Sequence, residues 1–169
     1  THHILERLEK SLEYTLYMMR PDGSLPMVGD IDDGRSIRIG KPAFHWDFRS
    51  FLAIGAVLFN RGDMKEAASR GAPPTGFHED ALWLLGFEGW NRNQQLEAEP
   101  PQAVSVALQD SGYYIMRSGW DKEAHTLCFD CGEQAAGLFS DATPSAAHGH
   151  ADCLSIDVCV GGQPFLIDP

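Results

Sequence analysis

The segment AAHGHADCLSIDVCVGGQPFLIDP, residues 146–169, combines a polar motif with a regular strand pattern. From Leu154 to Val160 apolar residues alternate with other residues at a period of two, which is typical of a β-strand. Gly161 and Gly162 then supply the conformations that a tight hairpin turn requires, and QPFLID follows as a further strand. The segment therefore predicts antiparallel β-structure in this part of the chain.

The strand pattern extends back to Val104, whereas the residues before position 88 follow helical spacing. VSVAL, YYIMRS and HTLCFD are short apolar runs separated by the turn sequences QDSG and GWDKEA. Helices are expected over residues 4–20, over residues 47–60 with Asp47 as N-cap, and over residues 78–86, with Gly86 as the C-terminal stop. RGDMKEAASRG is expected to form a turn and a short helix between the last two.

These patterns predict an α+β fold with a boundary near Pro100 and Pro101. We divide the chain into a helical part, residues 1–87, a linker, residues 88–103, and an antiparallel β-part, residues 104–169. A sheet that ends on an open hairpin leaves its last strand without a neighbour, so the chain is expected to be a fragment of a longer protein.

The formal net charge of −11 argues against a general nucleic-acid or anionic-membrane binder, because both functions need a basic surface. An acidic sugar is still compatible with that charge, since a cleft needs only a few local cations. Five cations do gather in one early region: Arg20, Arg35, Arg38, Lys41 and Arg49. No apolar run approaches the ~20 residues of a membrane span, and four cysteines are too few and too irregular for a disulfide scaffold.

His148, His150 and Asp152 are the candidate chemical residues of the opening segment. Alternate positions of an extended chain face one side, so the three side chains are expected to project together. Imidazole nitrogen and carboxylate oxygen suit zinc or a related divalent ion, and the same groups can transfer protons at neutral pH. The alternative is a pair of surface histidines that hydrogen-bond to the backbone.

Two further motifs allow more than one interpretation. Cys128 and Cys131 have the spacing of a zinc pair, but residues three apart on a strand face opposite sides, which favours ordinary core thiols. GDIDDGR, residues 29–35, lacks the full ligand set and the closing glutamate of an EF-hand calcium loop. A Gly/Asp turn in which Arg35 pairs internally and a loop that contacts substrate remain the alternatives for this motif.

DSGYYIMRSGWDKEAHTLCFDCG, HGHADCLSIDVCVGGQPFLIDP and GDIDDGR together resemble the heparinase II/III-like polysaccharide lyases, most strongly over residues 110–169. The resemblance implies the C-terminal helices of an (α/α) toroid followed by an antiparallel β-sandwich-type domain. It also implies cleavage of uronate-containing acidic glycans by β-elimination. Part of the catalytic apparatus, a tyrosine and an asparagine or histidine of the toroid, is expected upstream of this chain.

The resemblance also assigns site residues. His148 corresponds to the β-domain's catalytic histidine, and His150 and Asp168 correspond to ligands of a zinc ion that supports the site. A third zinc ligand, a later histidine, is expected farther along the polypeptide. Arg35 and Asp30 are the candidates for contact with substrate.

Asp168 raises a geometric difficulty, because a tight hairpin would set it opposite residues 155–157 rather than opposite His150. Either the chain around His150 bends back, or a β-bulge shifts the register, or Asp168 is not a ligand. In the last case Asp152 is the replacement ligand, or the residue that orients an imidazole.

A function of a different class stays open: a non-catalytic carbohydrate-binding or structural protein that retains the lyase-like fold. In either case the expected partner is an acidic polysaccharide or oligosaccharide, with no nucleic acid and no membrane, and homo-oligomer formation is left open. The sequence itself does not fix the compartment, and the resemblance favours a periplasmic or secreted protein over a cytoplasmic one.

Overall fold

The computed structural model describes residues 2–29, 39, 47–70, 78–133 and 152–167. These residues form helices in the first part of the chain and an antiparallel sheet in the second. The helices are α1 (His2–Met18), α2 (Arg49–Phe59), α3 (Gly62–Ser69) and α4 (Glu79–Gln95). The strands are β1 (Ser105–Leu108), β2 (Tyr113–Arg117), β3 (Thr126–Asp130), β4 (Ile156–Val160) and β5 (Gln163–Leu166). The predicted α+β fold is confirmed, and the division at residues 87 and 103 stays a prediction.

The helices share one apolar core. Leu12 and Leu16 of α1, at the helical spacing seen in the sequence, pack with the buried face of α2 and with Met64 of α3. The N-terminal half of the α1 stripe is more open, since Leu5 and Leu8 are exposed. The other fully or largely buried members of this core are Met19, Leu52, Ala53, Ala56, Val57, Ala67, Ala68 and Ala81.

The predicted helix end at Gly86 is confirmed, but a further helical segment follows it. Gly86 interrupts α4 with a non-helical conformation, φ 64° and ψ −168°, and beyond this kink a second helical segment, which was not predicted, continues to Gln95. The second half of α4 is held because Trp90 packs against the helical core. Phe48, and not Asp47, is the N-cap of α2. The buried Asp47 carboxylate still accepts the Arg49 backbone N–H at 3.2 Å, and it also binds the Arg49 side chain at 2.8 and 2.9 Å.

The sheet is a meander in the order β1-β2-β3-β4-β5, with every neighbouring pair antiparallel. The predicted Gly161-Gly162 hairpin is confirmed, with φ values of 57° and 74° that L-residues rarely adopt. A side chain at Gly162 would also meet the Lys122 carbonyl oxygen at 1.9 Å. Between β4 and β5 the register shifts at Val158/Cys159, so the bulge considered in the sequence analysis is present.

One face of the sheet packs against the helical part, and it carries polar as well as apolar residues. In β4 the predicted period of two is present, but Asp157 and Cys159 are buried whereas Ile156 and Val160 are exposed. In the middle of this face Ile115 and Cys128 form a second small core with Met18, the last residue of α1. We call this buried face the inner face of the sheet.

Arg20 and Asp157 form a buried ion pair that joins the chain after α1 to β4. Arg20 Nε donates to Asp157 Oδ1 at 3.0 Å, Nη2 donates to Oδ2, and Nη1 donates to the Leu25 carbonyl oxygen at 3.2 Å. Burial by itself lowers the pKa of Arg20, but the hydrogen bonds to Asp157 outweigh it and the pKa is raised. The buried negative charge of Asp157 on the inner face is therefore neutralised by the Arg20 guanidinium of the helical part.

The four cysteines are free and differ in exposure. Cys128 and Cys159 are buried on the inner face, whereas Cys131 is half-buried and Cys153 is exposed. Burial raises the pKa of Cys128 to about 12 and also raises the pKa of Cys159. None of the helices in the described ranges has the length and apolar character needed to cross a membrane.

We predict that Arg20→Ala lowers the free energy of unfolding by about 3–5 kcal/mol, because it leaves the Asp157 carboxylate buried without its cation. Denaturant unfolding of the full-length protein, followed by tryptophan fluorescence, measures the change. The matched control is Glu6→Ala, which breaks the exposed His2–Glu6 pair and should have no measurable effect. Equal effects of the two variants would contradict the role given to Arg20.

Thiol modification should follow the exposure of the cysteines. At pH 8 a maleimide should modify Cys153 rapidly and Cys128 only after unfolding, because the thiolate is the reactive form and a thiol of pKa about 12 is ~10⁻⁴ ionised at that pH. Peptide mapping by mass spectrometry, with and without urea, separates the sites. Equal modification rates of Cys128 and Cys153 in the native protein would be inconsistent with the packing of the inner face.

Candidate functional site at the helix–sheet boundary

The five residues that the sequence analysis assigns to catalysis, substrate contact and zinc lie outside the described residues. These are His148, His150, Asp168, Asp30 and Arg35. Two of their close neighbours in the chain are described: Gly29 immediately precedes Asp30, and Asp152 follows His150 by two positions. The site can therefore be built upward from Gly29 and Asp152.

Asp152 is buried, with 7% of its surface exposed, and its carboxylate binds the loop that follows α1. Oδ2 accepts a hydrogen bond from the backbone N–H of Gly29, which lies 123 residues earlier in the chain. The Asp152 backbone is also fixed, because its carbonyl oxygen accepts the Ser155 N–H at 2.8 Å and the Ser155 carbonyl oxygen accepts the Asp130 N–H at 3.0 Å. Asp152 thus connects the sheet with the GDIDDGR motif.

Gly29 meets conditions that favour glycine at this position. Its φ is 79°, in the left-handed region, and a Cβ there would lie 3.1 Å from the hydroxyl oxygen of Tyr113. The preceding residue, Val28, packs against the small core of Met18, Ile115 and Cys128. Gly29 is therefore held from both sides, by an apolar anchor before it and by the Asp152 carboxylate in front of its amide.

Two tyrosines complete this polar cluster. Tyr14 of α1 and Tyr113 of β2 contact edge to face, with ring centroids 5.7 Å apart and planes inclined by 65°. Burial, followed by nearby negative charge that includes Asp130 and Asp152, raises the pKa of Tyr14 to about 12, and burial also raises the pKa of Tyr113. Both hydroxyls are therefore neutral at physiological pH and can serve as hydrogen-bond donors.

Asp130, the last residue of β3, supplies a second carboxylate. Burial raises its pKa, the Gly132 N–H that it accepts at 3.0 Å opposes that rise, and the Asp152 charge adds to it. We call the set Tyr14, Gly29, Tyr113, Asp130 and Asp152 the boundary cluster. It brings together residues of α1, the following loop, β2, the end of β3 and the turn before β4.

The boundary cluster contains parts of all three motifs on which the family resemblance depends: Tyr113 from the Ser-Gly-Tyr-Tyr element, Gly29 from GDIDDGR and Asp152 from His-Gly-His-Ala-Asp. The sequence analysis assigned no role to Tyr14, Gly29 or Tyr113. The glycine before the acidic run and the tyrosine pair after a turn were visible, but nothing local indicates that they meet.

The described residues contain no group of three or more His, Cys, Asp or Glu side chains that could hold a metal ion. The Cys-x-x-Cys pair does not converge: Cys128 Sγ points to Met18 Sδ at 3.7 Å, whereas Cys131 Sγ contacts the Gly112 carbonyl oxygen at 3.3 Å. Asp152, the replacement ligand considered above, has its carboxylate on the Gly29 amide. Imidazole and carboxylate donors such as His150 and Asp168 still match the ligand chemistry of zinc.

A second polar contact lies at the other end of β2. The Arg117 guanidinium stacks over Trp120, 3.8 Å from the ring centroid, and Nη2 donates to the Met19 carbonyl oxygen. Burial, together with the nearby Arg70 charge, lowers the pKa of Arg117 to about 10. Trp120 Nε1 donates to the Ala103 carbonyl oxygen at 2.9 Å, so this tryptophan is part of the helix–sheet packing.

The fold is similar to parts of solved lyase structures. A heparan sulfate lyase from Pedobacter heparinus matches with a TM-score of 0.52 and 21% identity over 90% of this chain and 17% of its own. A heparinase III gene product matches with a TM-score of 0.61 and 16% identity over 99% and 20%. A further heparinase III structure matches with a TM-score of 0.58 and 15% identity over 96% and 21%. The chain thus spans about a fifth of the length of these proteins, and the likeness shows the fold alone.

The sequence comparison is more specific for the C-terminal part. No curated protein matches the chain at a significant level. Residues 100–169 match the family model described as "Heparinase II/III-like, C-terminal", and this range includes all five strands as well as Asp130 and Asp152. The resemblance inferred from the motifs is therefore confirmed: residues 100–169 are similar to the C-terminal region of the heparinase II/III-like family.

Proposed function

We propose that the full-length protein is a polysaccharide lyase that cleaves uronate-containing acidic glycans by β-elimination. The family match of residues 100–169 and the similarity of the fold to heparinase and heparan sulfate lyase structures support membership of a polysaccharide lyase family. The reaction, the glycan and the residue roles are the proposal. A periplasmic or secreted location, where such a glycan would be met, belongs to the same proposal.

The observation that carries the proposal is the contact between Gly29 and Asp152. It joins the segment that contains Asp30 and Arg35, which are proposed to contact substrate, to the segment that contains His148, which is proposed to be catalytic. Because consecutive Cα atoms are about 3.8 Å apart, chain connectivity keeps the Cα of Asp30 about 3.8 Å from that of Gly29. The same constraint keeps the Cα of His150 within about 7.6 Å of that of Asp152. Residues 123 positions apart are thus brought to one region.

β-Elimination on a uronate makes three chemical demands. The carboxylate must be neutralised so that the C5 proton becomes acidic, a base must remove that proton, and an acid must protonate the departing O4. His148 is the proposed proton-transfer group, because an imidazole side chain can accept or donate a proton at neutral pH. Arg35 is the proposed cation for the uronate carboxylate, and Asp30 is proposed to accept hydrogen bonds from sugar hydroxyls.

Zinc is proposed in a supporting role. His150 and Asp168 would hold it, with a further histidine of the full-length protein. The ion would tie the histidine segment to the chain after β5, and no proton transfer is assigned to it. The bulge between β4 and β5 places Leu166 opposite Val158, which does not bring the end of β5 closer to the histidine segment. The proposed zinc site therefore requires that the chain around His150 bends back toward the end of β5.

The test is incubation of the full-length protein with heparan sulfate, alginate and other uronate polysaccharides, followed by absorbance of the 4,5-unsaturated product. His148→Ala should lower kcat by about 10²–10⁴-fold while the melting temperature stays nearly unchanged, because a general acid–base group contributes on this scale.

The matched control is His125→Ala. His125 immediately precedes the first residue of β3, whereas Asp130 of the boundary cluster is the last residue of that strand. The Nδ1 atom of His125 accepts the Gly161 N–H at 3.1 Å. This variant should retain turnover. An inactive wild type on every uronate would reject the lyase and favour the carbohydrate-binding alternative, and near-normal turnover of His148→Ala would reject the assigned residue.

His150→Ala should lower the zinc content of the purified full-length protein and its thermal stability, because the ion loses an imidazole ligand. Elemental analysis of metal-to-protein stoichiometry, beside His125→Ala as the control, measures the first effect. Unchanged zinc stoichiometry would exclude His150 as a ligand.

A further inference from the structure

We propose that Asp152 is a positioning residue for the reaction: its carboxylate, bound to the Gly29 amide, fixes the histidine segment against the segment that begins at Asp30. This inference rests on the proposed function, and it deepens it by assigning a residue that contacts neither substrate nor metal.

Asp152 is anchored to the sheet through its own backbone. The turn from Asp152 to Ser155 is closed by the Ser155 N–H bond to the Asp152 carbonyl oxygen at 2.8 Å, and Leu154 within it has a positive φ of 65°. The Ser155 carbonyl oxygen then accepts the Asp130 N–H at 3.0 Å, at the end of β3. The side chain of Asp152 therefore starts from a backbone of fixed position.

Gly29 is anchored from the helical side. Val28 packs into the core of Met18, Ile115 and Cys128, and the Tyr113 hydroxyl occupies the space where a side chain at Gly29 would lie. The hydrogen bond from Gly29 to Asp152 thus links a residue of the helical side directly to a residue of the sheet side. Since Asp30 follows Gly29 directly and His150 precedes Asp152 by two residues, the bond limits how far these residues can separate.

Asp157 provides the comparison that separates positioning from stability. Like Asp152 it is a buried aspartate that joins the sheet to the chain after α1, in its case through Arg20. Its neighbours in the sequence, however, belong to β4 and not to the histidine segment. Loss of Asp157 should therefore destabilise the fold without moving His148, whereas loss of Asp152 should destabilise the fold and also displace His148.

The experiment compares Asp152→Ala, Asp152→Asn and Asp157→Ala in the full-length enzyme, well below the lowest melting temperature. Asp152→Ala should lower kcat by about 10–100-fold, because a displacement on the order of 1 Å costs this much. KM should change by less than about threefold, since the contacts to substrate remain. Asp152→Asn keeps an oxygen that can accept the Gly29 N–H and should recover most of the loss. Asp157→Ala should keep kcat near the wild-type value despite its lower melting temperature.

Hydrogen exchange provides a measurement that does not depend on turnover. Peptides that contain Gly29 should exchange at least ~10-fold faster in Asp152→Ala than in Asp157→Ala, because the Gly29 amide loses its acceptor. Equal kcat losses in the two alanine variants, no recovery in Asp152→Asn, or full activity of Asp152→Ala would overturn the inference while leaving the lyase intact. An inert wild type would overturn the proposed function, and the positioning role with it, even if the exchange result confirmed the contact.

Discussion

A buried carboxylate that accepts a backbone N–H from the other part of the chain is the interaction on which the site depends. Burying a charge is unfavourable unless hydrogen bonds replace its hydration, and Asp152 obtains such a bond from Gly29. The geometry leaves little freedom at Gly29, because a positive φ and the adjacent Tyr113 hydroxyl both favour glycine there. The contact therefore depends on a glycine at position 29 and on a carboxylate at position 152, with the Tyr113 hydroxyl beside them.

The rest of the helix–sheet boundary follows the same principle. The middle of the inner face is apolar, with Ile115 and Cys128 against Met18, and it supplies burial without directional preference. Directional contacts lie around it: the boundary cluster at one end of β2, Arg117 over Trp120 at the other, and the Arg20–Asp157 ion pair on β4. Such contacts hold a sheet at a defined position against helices, which the proposed catalytic site would require.

Local patterns in the sequence predict the elements well, because period and turn chemistry are local properties. The antiparallel strands and the Gly161-Gly162 hairpin are examples. The register of β4 and β5 departs from that of a regular hairpin by one bulge, at Val158/Cys159. The structure adds to these local preferences where packing intervenes. Gly86 interrupts the helix as predicted, yet a further helical segment follows because Trp90 packs against the helical core. Asp47 accepts the Arg49 backbone N–H at the start of α2, and it also binds the Arg49 side chain.

The boundary cluster could not be predicted in the same way. The alternation in β4 gives the period but not the side of the strand that is buried. On the buried side Asp157 binds Arg20, which lies 137 residues earlier in the chain. The contact of Asp152 with Gly29 spans 123 residues and has no local signal. The family resemblance rests on three segments, and the contacts of Gly29 with Asp152 and of Gly29 with Tyr113 bring parts of these segments together.

A crystal structure of the full-length protein with a bound uronate oligosaccharide tests this account most directly. The account predicts the Asp152 carboxylate within hydrogen-bond distance of the Gly29 nitrogen, the Tyr113 hydroxyl beside them, and His148 facing the C5 carbon of the sugar. An Asp152 side chain turned to solvent, with the Gly29 amide bonded elsewhere and the sugar bound away from the histidine segment, would contradict it.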